Sequence, residues 1–231
     1  MRDFSLTPRS EETRDPRPVA DPVQFTLAQI RTHFDESLAS IQKQFDVAQT
    51  LNNDGKIEEC RDIWRSQIVF LEGILDFYLH ELSKYALYQM FLGRWEKSAR
   101  YQNLQLKMQD VETALDAPES KTWFFRFLNE RFSRDVFLAA EIMKDQLNLI
   151  GISFSDAMSS AFPERNAEQS IKSGKAFVSQ LFDRRNAIAH QVDRSHTSAE
   201  KNDITREYVE ECIDGVCRIV DAVHSLAEKN G

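Results

Sequence analysis

The sequence predicts an all-α fold, an up-and-down helical bundle with extra helices, in a single domain from residue 23 to residue 231. Over long stretches, apolar residues recur at steps of three to five positions, which is the spacing of one helix face. The chain has only seven glycines. No segment shows the alternation of apolar and polar residues that marks a half-buried strand. Together these observations favour helices packed on helices.

The first 22 residues are predicted to form a flexible arm outside the bundle. They carry four of the six prolines in the chain among charged and polar residues. The first helix is predicted from Gln24 to about Leu51. The run Asn52-Asn53-Asp54-Gly55 ends it with turn-forming residues.

The strongest apolar segment runs from Ile57 to about Leu92 and predicts the central helix of the bundle. Aromatic residues cluster at 123–127 and recur at Phe132 and Phe137. Their spacing is helical and few lysines flank them, so we interpret them as core rather than as a base-stacking surface. The further helices are predicted at about 101–115, 120–149, 154–161, 167–191 and 204–229.

Charge and cysteine content narrow the function classes. A net charge of −8 argues against nonspecific coating of nucleic acid, so any RNA site must be a local basic patch. The three cysteines lack the spacing of metal ligands, and their odd number without a signal peptide predicts a reducing, cytoplasmic location. No apolar run reaches the roughly 18 residues of a membrane span. We therefore expect a protein with no metal, no cofactor and no membrane contact.

The predicted helix 167–191 carries three polar residues of interest, Arg185, Asn186 and His190. On a helical wheel, Arg185 lies near the middle of an apolar arc of roughly 140°. A buried guanidinium requires a carboxylate, a phosphate or a subunit interface. The arc is formed by Phe177, Val178, Leu181, Phe182, Ile188, Ala189 and Val192.

His190 points about 140° away from Arg185, while Asn186 shares the side of the histidine. Within one straight helix, Arg185 and His190 are therefore poorly placed to bind one small group. They can converge if the helix ends near His190, or if two copies of the helix meet across a dimer. Alternatively, Arg185 makes a structural ion pair and His190 is a surface or capping residue.

The central helix offers Glu72 as a partner for Arg185. Glu72 lies about 40° from Ile68 on the wheel, at the edge of the apolar stripe, so we expect it to be half-buried. The pair would either hold two helices together or orient Arg185 within a site. Asp76 and His80 lie on a more polar side of this helix and are predicted to be surface residues.

The segment RRNAIAHQVDRS, with FVSQLFD before it and NDITREYVEECIDGVCRIVDAVHSL after it, resembles the RiboL-PSP and MAE-type branch of the HEPN superfamily. Its centre is similar to the HEPN signature, an arginine followed by a polar residue, with four residues between the arginine and a histidine. The detailed resemblance covers about the last 60 residues. One departure is Val192, where HepT-type toxins have a tyrosine, so chemistry that depends on this tyrosine is not transferred.

The resemblance implies a bundle that dimerises through the motif helices and, in many members, a metal-independent endoribonuclease. His190 would act as general base or acid for attack of the 2′-hydroxyl on the phosphate, leaving a 2′,3′-cyclic phosphate. Arg185 would neutralise the growing negative charge, and Asn186 would position the histidine or the phosphate. Glu72 would support Arg185. Arg184 and Arg194 would add to a basic patch, which Asp183 and Asp193 dilute.

A rival function from another class stays open. The same residues would also suit a noncatalytic HEPN-like module that dimerises or binds a partner protein or RNA. The resemblance further suggests a toxin or phage-defence role with a regulatory or antitoxin protein as partner. The residues do not decide between these alternatives.

Overall fold

The structure is a computed structural model that describes residues 23–116, 118–133, 135–195, 197 and 199–230. In this part of the chain it contains α-helices, one 3₁₀ turn at Tyr101–Asn103 and an isolated bridge between Arg194 and Lys201. The predicted arm, residues 1–22, lies outside the described residues. The helices are α1 Leu27–Asn53, α2 Ile57–Phe91, α3 Met108–Asp116, α4 Thr122–Phe132, α5 Ala140–Leu149, α6 Phe154–Ala161, α7 Ala167–Gln191 and α8 Arg206–Glu228.

The helices α1 and α2 form a long hairpin. Thr26 and Gln29 start α1 with a reciprocal capping box. The chain turns through the predicted Asn52–Gly55 run, where Gly55 has a left-handed φ of 76° that glycine adopts without strain. The apolar stripe of α2 is buried against α1 on one side and against α4, α7 and α8 on others. Thus α2 is the central helix, as predicted.

The site-bearing helix α7 packs against α2, α5 and α6, while α8 packs against α2 and α6. Close approach between α7 and α8 depends on a glycine. A Cβ atom built on Gly215 of α8 would lie 2.2 Å from Cζ of Phe177, so the phenyl ring occupies the space that the missing side chain leaves. The helices α2, α5, α6 and α8 therefore all contact α7.

The single helix predicted at 120–149 was wrong, because this interval contains two helices, α4 and α5. The linker between α4 and α5 is fixed by α2: Phe137 N–H donates to Asp76 Oδ1 over 2.9 Å, and His80 Nε2 lies 3.0 Å from the Asp135 carbonyl oxygen. The His80 ring also stacks on Phe137 at 4.2 Å. Asp76 and His80 are therefore half-buried tertiary contacts, and their prediction as surface residues was wrong.

The other helices follow their predictions more closely. The intervals 154–161 and 167–191 are confirmed, whereas the interval 101–115 contains the 3₁₀ turn and α3 instead of one helix. The aromatic cluster is core, with Phe124, Phe125 and Phe127 all buried. None of the described helices is both long and apolar enough to cross a membrane.

We predict that Gly215→Ala destabilises the fold by about 1–3 kcal/mol, because the new methyl group overlaps the Phe177 ring and forces repacking. Gly73→Ala is the matched control, since its Cβ would meet nothing within 4 Å on α2. There, alanine should stabilise the helix by about 0.5–1 kcal/mol. Urea unfolding of both variants measures the two effects, and equal shifts would contradict the packing described for α7 and α8.

Candidate functional site

The candidate site begins with the way α7 ends. Asn166 caps its start by accepting a hydrogen bond from Gln169 N–H. At the other end, Val192 adopts a left-handed conformation with φ 52° and ψ 32°, and its N–H donates to the Ala187 carbonyl. The helix therefore stops one residue after His190, whose side chain is exposed. This meets one of the two conditions for convergence, that the helix ends near His190.

Arg185 lies one and a half turns earlier and is half-buried, with 33% of its side chain exposed. Its Nη1 donates to Asn186 Oδ1 over 3.0 Å. Its Nε lies 3.6 Å from Glu72 Oε2, which is an ion pair but too long for a hydrogen bond. Both of these atoms are buried without a hydrogen-bond partner. Asn186 thus holds Arg185 through a hydrogen bond, and Glu72 attracts it electrostatically.

Glu72 is more deeply buried than predicted, with 2% of its side chain exposed. The half-buried expectation was wrong because α7 and α8 both pack against this part of α2. Burial raises the pKa of Glu72 to about 7, although Arg185 lowers it and Asp76 raises it further. The charge that attracts Arg185 is therefore lost by protonation near neutral pH.

Asn186 contacts Arg185 rather than His190. Within the hydrogen bonds of the described residues, none joins His190 to Arg185 or to Asn186. The side chains of the motif thus form two groups within one chain. Arg185, Asn186 and Glu72 lie together in the half-buried part, and His190 lies apart at the exposed helix end.

The two supporting arginines have different surroundings. Arg184 forms a two-pronged ion pair with Asp193, at 2.8 Å from Oδ1 and 2.9 Å from Oδ2. Its charge is therefore neutralised inside the protein and is not free for a basic patch. Arg194 is exposed, and its Nη1 donates to the Ala199 carbonyl over 2.6 Å. Of these two arginines, only Arg194 presents its charge at the surface.

The last turns of α7 are less buried than the wheel predicted. Ala189 is exposed and Val192 is 65% exposed. The apolar arc continues past the point where other helices cover its side chains, although Asp193, the residue after Val192, is fully buried. We call the surface formed by Val69, Phe70, Ile188 and Val192 the α2–α7 face; together with Asp62, Arg65, Ser66 and Lys201 these residues line a cavity of about 340 Å³.

Two site-forming residues were missed by the sequence interpretation, Arg65 and Asp193. Arg65 lies seven residues before Glu72, which places both on nearly the same side of α2. A second charge in the buried stripe of the central helix was therefore visible in the sequence. Asp193 gave no such signal, since it follows the helix in a segment that reads as a polar loop.

A family model described as RiboL-PSP-HEPN matches residues 34–229. The chain belongs to the RiboL-PSP-HEPN family. The match spans most of α1 and all the later helices, whereas the resemblance seen in the sequence covered about the last 60 residues. The predicted superfamily and all-α fold are thereby confirmed. No curated protein and no solved structure gives a significant match.

In this HEPN domain the motif is carried by α7, and the central helix α2 supplies its carboxylate neighbour, Glu72. Among the described residues, no group of three or more histidine, cysteine, aspartate or glutamate side chains is arranged to hold a metal ion.

We predict that Glu72 makes the stability of this HEPN domain depend on pH. Because its pKa is raised from 4.5 to about 7 on folding, the folded state binds the proton more tightly. The resulting stabilisation is complete below pH 4.5 and disappears as the pH rises through 7.

Relative to Glu72→Gln, which stays neutral, wild type should lose about 3 kcal/mol of unfolding free energy between pH 4.5 and 8. Urea unfolding at several pH values measures this difference. A constant difference across this range would show that Glu72 does not titrate there.

Proposed function

We propose that this protein is a metal-independent endoribonuclease of the HEPN type. The observation that carries the proposal is the division of the motif at the end of α7. His190 presents an exposed imidazole in the last turn, and Arg185 keeps a partly exposed guanidinium beside a buried carboxylate. An exposed proton-transfer group with a cation near it is what cleavage of an RNA phosphate requires.

The proposed reaction is an internal displacement at phosphorus. His190 removes the proton from a ribose 2′-hydroxyl, and the 2′-oxygen forms a bond to the adjacent phosphorus atom. The bond from phosphorus to the 5′-oxygen breaks, and this oxygen receives a proton. The products are a 2′,3′-cyclic phosphate and a 5′-hydroxyl. DNA lacks the attacking hydroxyl and is not a substrate.

Arg185 stabilises the charge that develops on the phosphoryl oxygens. The Nη1 donor is engaged by Asn186, which fixes the plane of the guanidinium. The Nε donor is buried 3.6 Å from Glu72 Oε2 and is not accessible to a phosphate. With 33% of its side chain exposed, Arg185 retains terminal N–H groups for a phosphate, and Asn186 acts on the phosphate through Arg185.

The same proposal includes a homodimer. Arg185 and His190 point to different sides of α7, so one chain supplies a partial site. The α2–α7 face beside them presents exposed apolar side chains, with Phe70 53% and Val192 65% exposed, and polar residues of the same cavity border it. If two copies join through this face, Arg185 of one chain and His190 of the other act on the same phosphate, and this His190 returns the proton to the leaving 5′-oxygen.

We predict that purified protein cleaves structured RNA in excess EDTA, and that His190→Ala lowers the rate by about 100-fold or more because proton transfer is lost. Arg185→Ala should have an effect of about 100-fold through loss of charge stabilisation. Gln191→Ala, an exposed neighbour in the same turn, is the matched control and should retain activity. Product analysis should find cyclic phosphate ends.

Equal activity of wild type and His190→Ala, or activity abolished by EDTA, would contradict this mechanism. Absence of cleavage at any protein concentration would favour the noncatalytic HEPN-like module, in which the motif only builds an interface. Arg184 neutralised by Asp193 is the observation that favours this rival, since it reduces the basic surface available to RNA. A neutralising partner protein would be sought by copurification only if cleavage is found.

We predict that Phe70→Glu prevents dimerisation, because it places a charge in the α2–α7 face. Val47→Glu, at an equally exposed apolar position on α1, is the control and should leave the dimer intact. Sedimentation equilibrium measures both.

Mixing His190→Ala with Arg185→Ala then tests whether the site is shared. If each site takes Arg185 from one chain and His190 from the other, random pairing restores about a quarter of the wild-type activity. No recovery in a mixture that forms mixed dimers would contradict a shared site.

A further inference from the structure

Immediately after the motif, the carboxylate of Asp193 is completely buried among polar partners. Its Oδ1 accepts a hydrogen bond from Asn202 Nδ2 and lies 2.8 Å from Arg184 Nη1 in an ion pair, and its Oδ2 accepts from Arg184 Nη2 and from Arg65 Nε, the latter over 2.8 Å. Each oxygen therefore has two nitrogen partners. We call Arg65, Arg184, Asp193 and Asn202 the Asp193 cluster.

Two residues of the Asp193 cluster flank the motif in the sequence. Arg184 precedes Arg185 directly, and Asp193 follows His190 by three residues. Their two-pronged ion pair therefore closes a short segment that contains all three motif residues. The ends of this segment cannot separate without breaking one charge-assisted hydrogen bond and a second close ion-pair contact.

Arg65 attaches this closed segment to the central helix. Besides Asp193, its guanidinium donates to the Asn202 carbonyl and to Asp62 Oδ1, each over 2.9 Å. Seven residues further along the same side of α2, Glu72 approaches Arg185. One helix thus contacts the segment near its beginning, through Glu72, and at its end, through Arg65.

The backbone at the cluster is strained. Val192 and Asp193 are consecutive residues with positive φ, 52° and 57°. This conformation is unfavourable for a residue with a side chain and most unfavourable for a β-branched one. Such residues persist where surrounding contacts determine the conformation. Here the Asp193 carboxylate and the 2.7 Å bond from Asn202 N–H to the Asp193 carbonyl supply those contacts.

We infer that Asp193 and Arg65 are positioning residues for His190. Helix ends fray, and an exposed histidine in a last turn would otherwise move with them. The cluster terminates α7 abruptly and keeps its last turn ordered, so the imidazole stays at a defined distance from Arg185. This inference rests on the proposed function of His190, but its first readout below does not require catalysis.

The experiment uses the full chain with Arg65→Lys, which keeps the charge and loses the branched set of donors, and with Asp193→Asn. Arg61→Lys is the matched control. Arg61 also joins α2 to the segment after α7, through Asp203 at 3.1 Å, but it lies at the surface and does not contact Asp193. NMR of the imidazole ring resonances reports on His190, which is assigned by its loss in His190→Ala.

We expect the His190 resonances to shift and broaden in Arg65→Lys and in Asp193→Asn, while those of the distant His224 stay in place. In RNA cleavage, Arg65→Lys should lower kcat by about tenfold or more with KM changed less than about twofold, because a small misplacement of a catalytic group impairs the chemical step. Arg61→Lys should change neither readout.

Unchanged His190 resonances in Arg65→Lys would overturn the inference, as would equal effects of Arg65→Lys and Arg61→Lys. If Asp193→Asn does not fold, Arg65→Lys alone decides. If the resonances move as expected but wild type cuts no RNA, the positioning role stands and the nuclease proposal fails. If RNA is cut and Arg65→Lys behaves as wild type in both measurements, the nuclease proposal stands and the positioning role fails.

Discussion

Two opposite charges in the buried stripe of the central helix constrain the arrangement of the whole site. Arg65 and Glu72 lie on nearly the same side of α2, and both are almost fully buried. An unpaired charge in such a place would cost several kcal/mol. Both are matched from the end of α7, Arg65 by Asp193 and Glu72 by Arg185. A shift of α7 by one residue would turn its side chains by about 100° and leave both charges unmatched.

The Arg65–Asp193 and Arg185–Glu72 pairs differ in how completely their polar atoms are hydrogen-bonded, and this difference separates their roles. Each carboxylate oxygen of Asp193 has two nitrogen partners, so the pair of Arg65 and Asp193 holds α2 and the end of α7 in a fixed arrangement. Glu72 and Arg185 approach each other without a hydrogen bond, and each has a buried atom without a partner. Most buried polar atoms have hydrogen-bond partners, so an incompletely satisfied buried pair requires an explanation, and a functional site is one such explanation. The distinction supports Arg185, rather than Arg184, as the cation available to a substrate.

The sequence predicted the helices well where local signals mark their ends. The Asn52–Gly55 turn gave an end of α1 close to the observed one, and the interval predicted for α7, 167–191, is the observed one. The break between α4 and α5 has no glycine or proline to mark it and depends on the distant residues Asp76 and His80. Contacts between helices remote in sequence leave no periodic pattern, so this break could not be predicted.

The sequence predicted which residues form the site better than it predicted the surroundings of those residues. Arg184 and Arg185 are adjacent and chemically identical. Asp193 neutralises Arg184 in a close ion pair, whereas Arg185 lies 3.6 Å from Glu72 and remains partly exposed. The wheel placed Arg185 in the apolar arc but could not show that the arc ends uncovered at Ala189 and Val192. Which turns of a helix are covered depends on how its neighbours pack against it, which no single segment encodes.

The uncovered α2–α7 face has a consequence for the control of activity under the proposed function. A site that needs a second chain is assembled only when two molecules meet, so at concentrations below the dissociation constant the rate rises with the square of protein concentration. A few copies in a cell would then be nearly inert, and a modest rise in synthesis would produce a disproportionate response. The four apolar side chains of the α2–α7 face would then set the protein concentration at which activity appears.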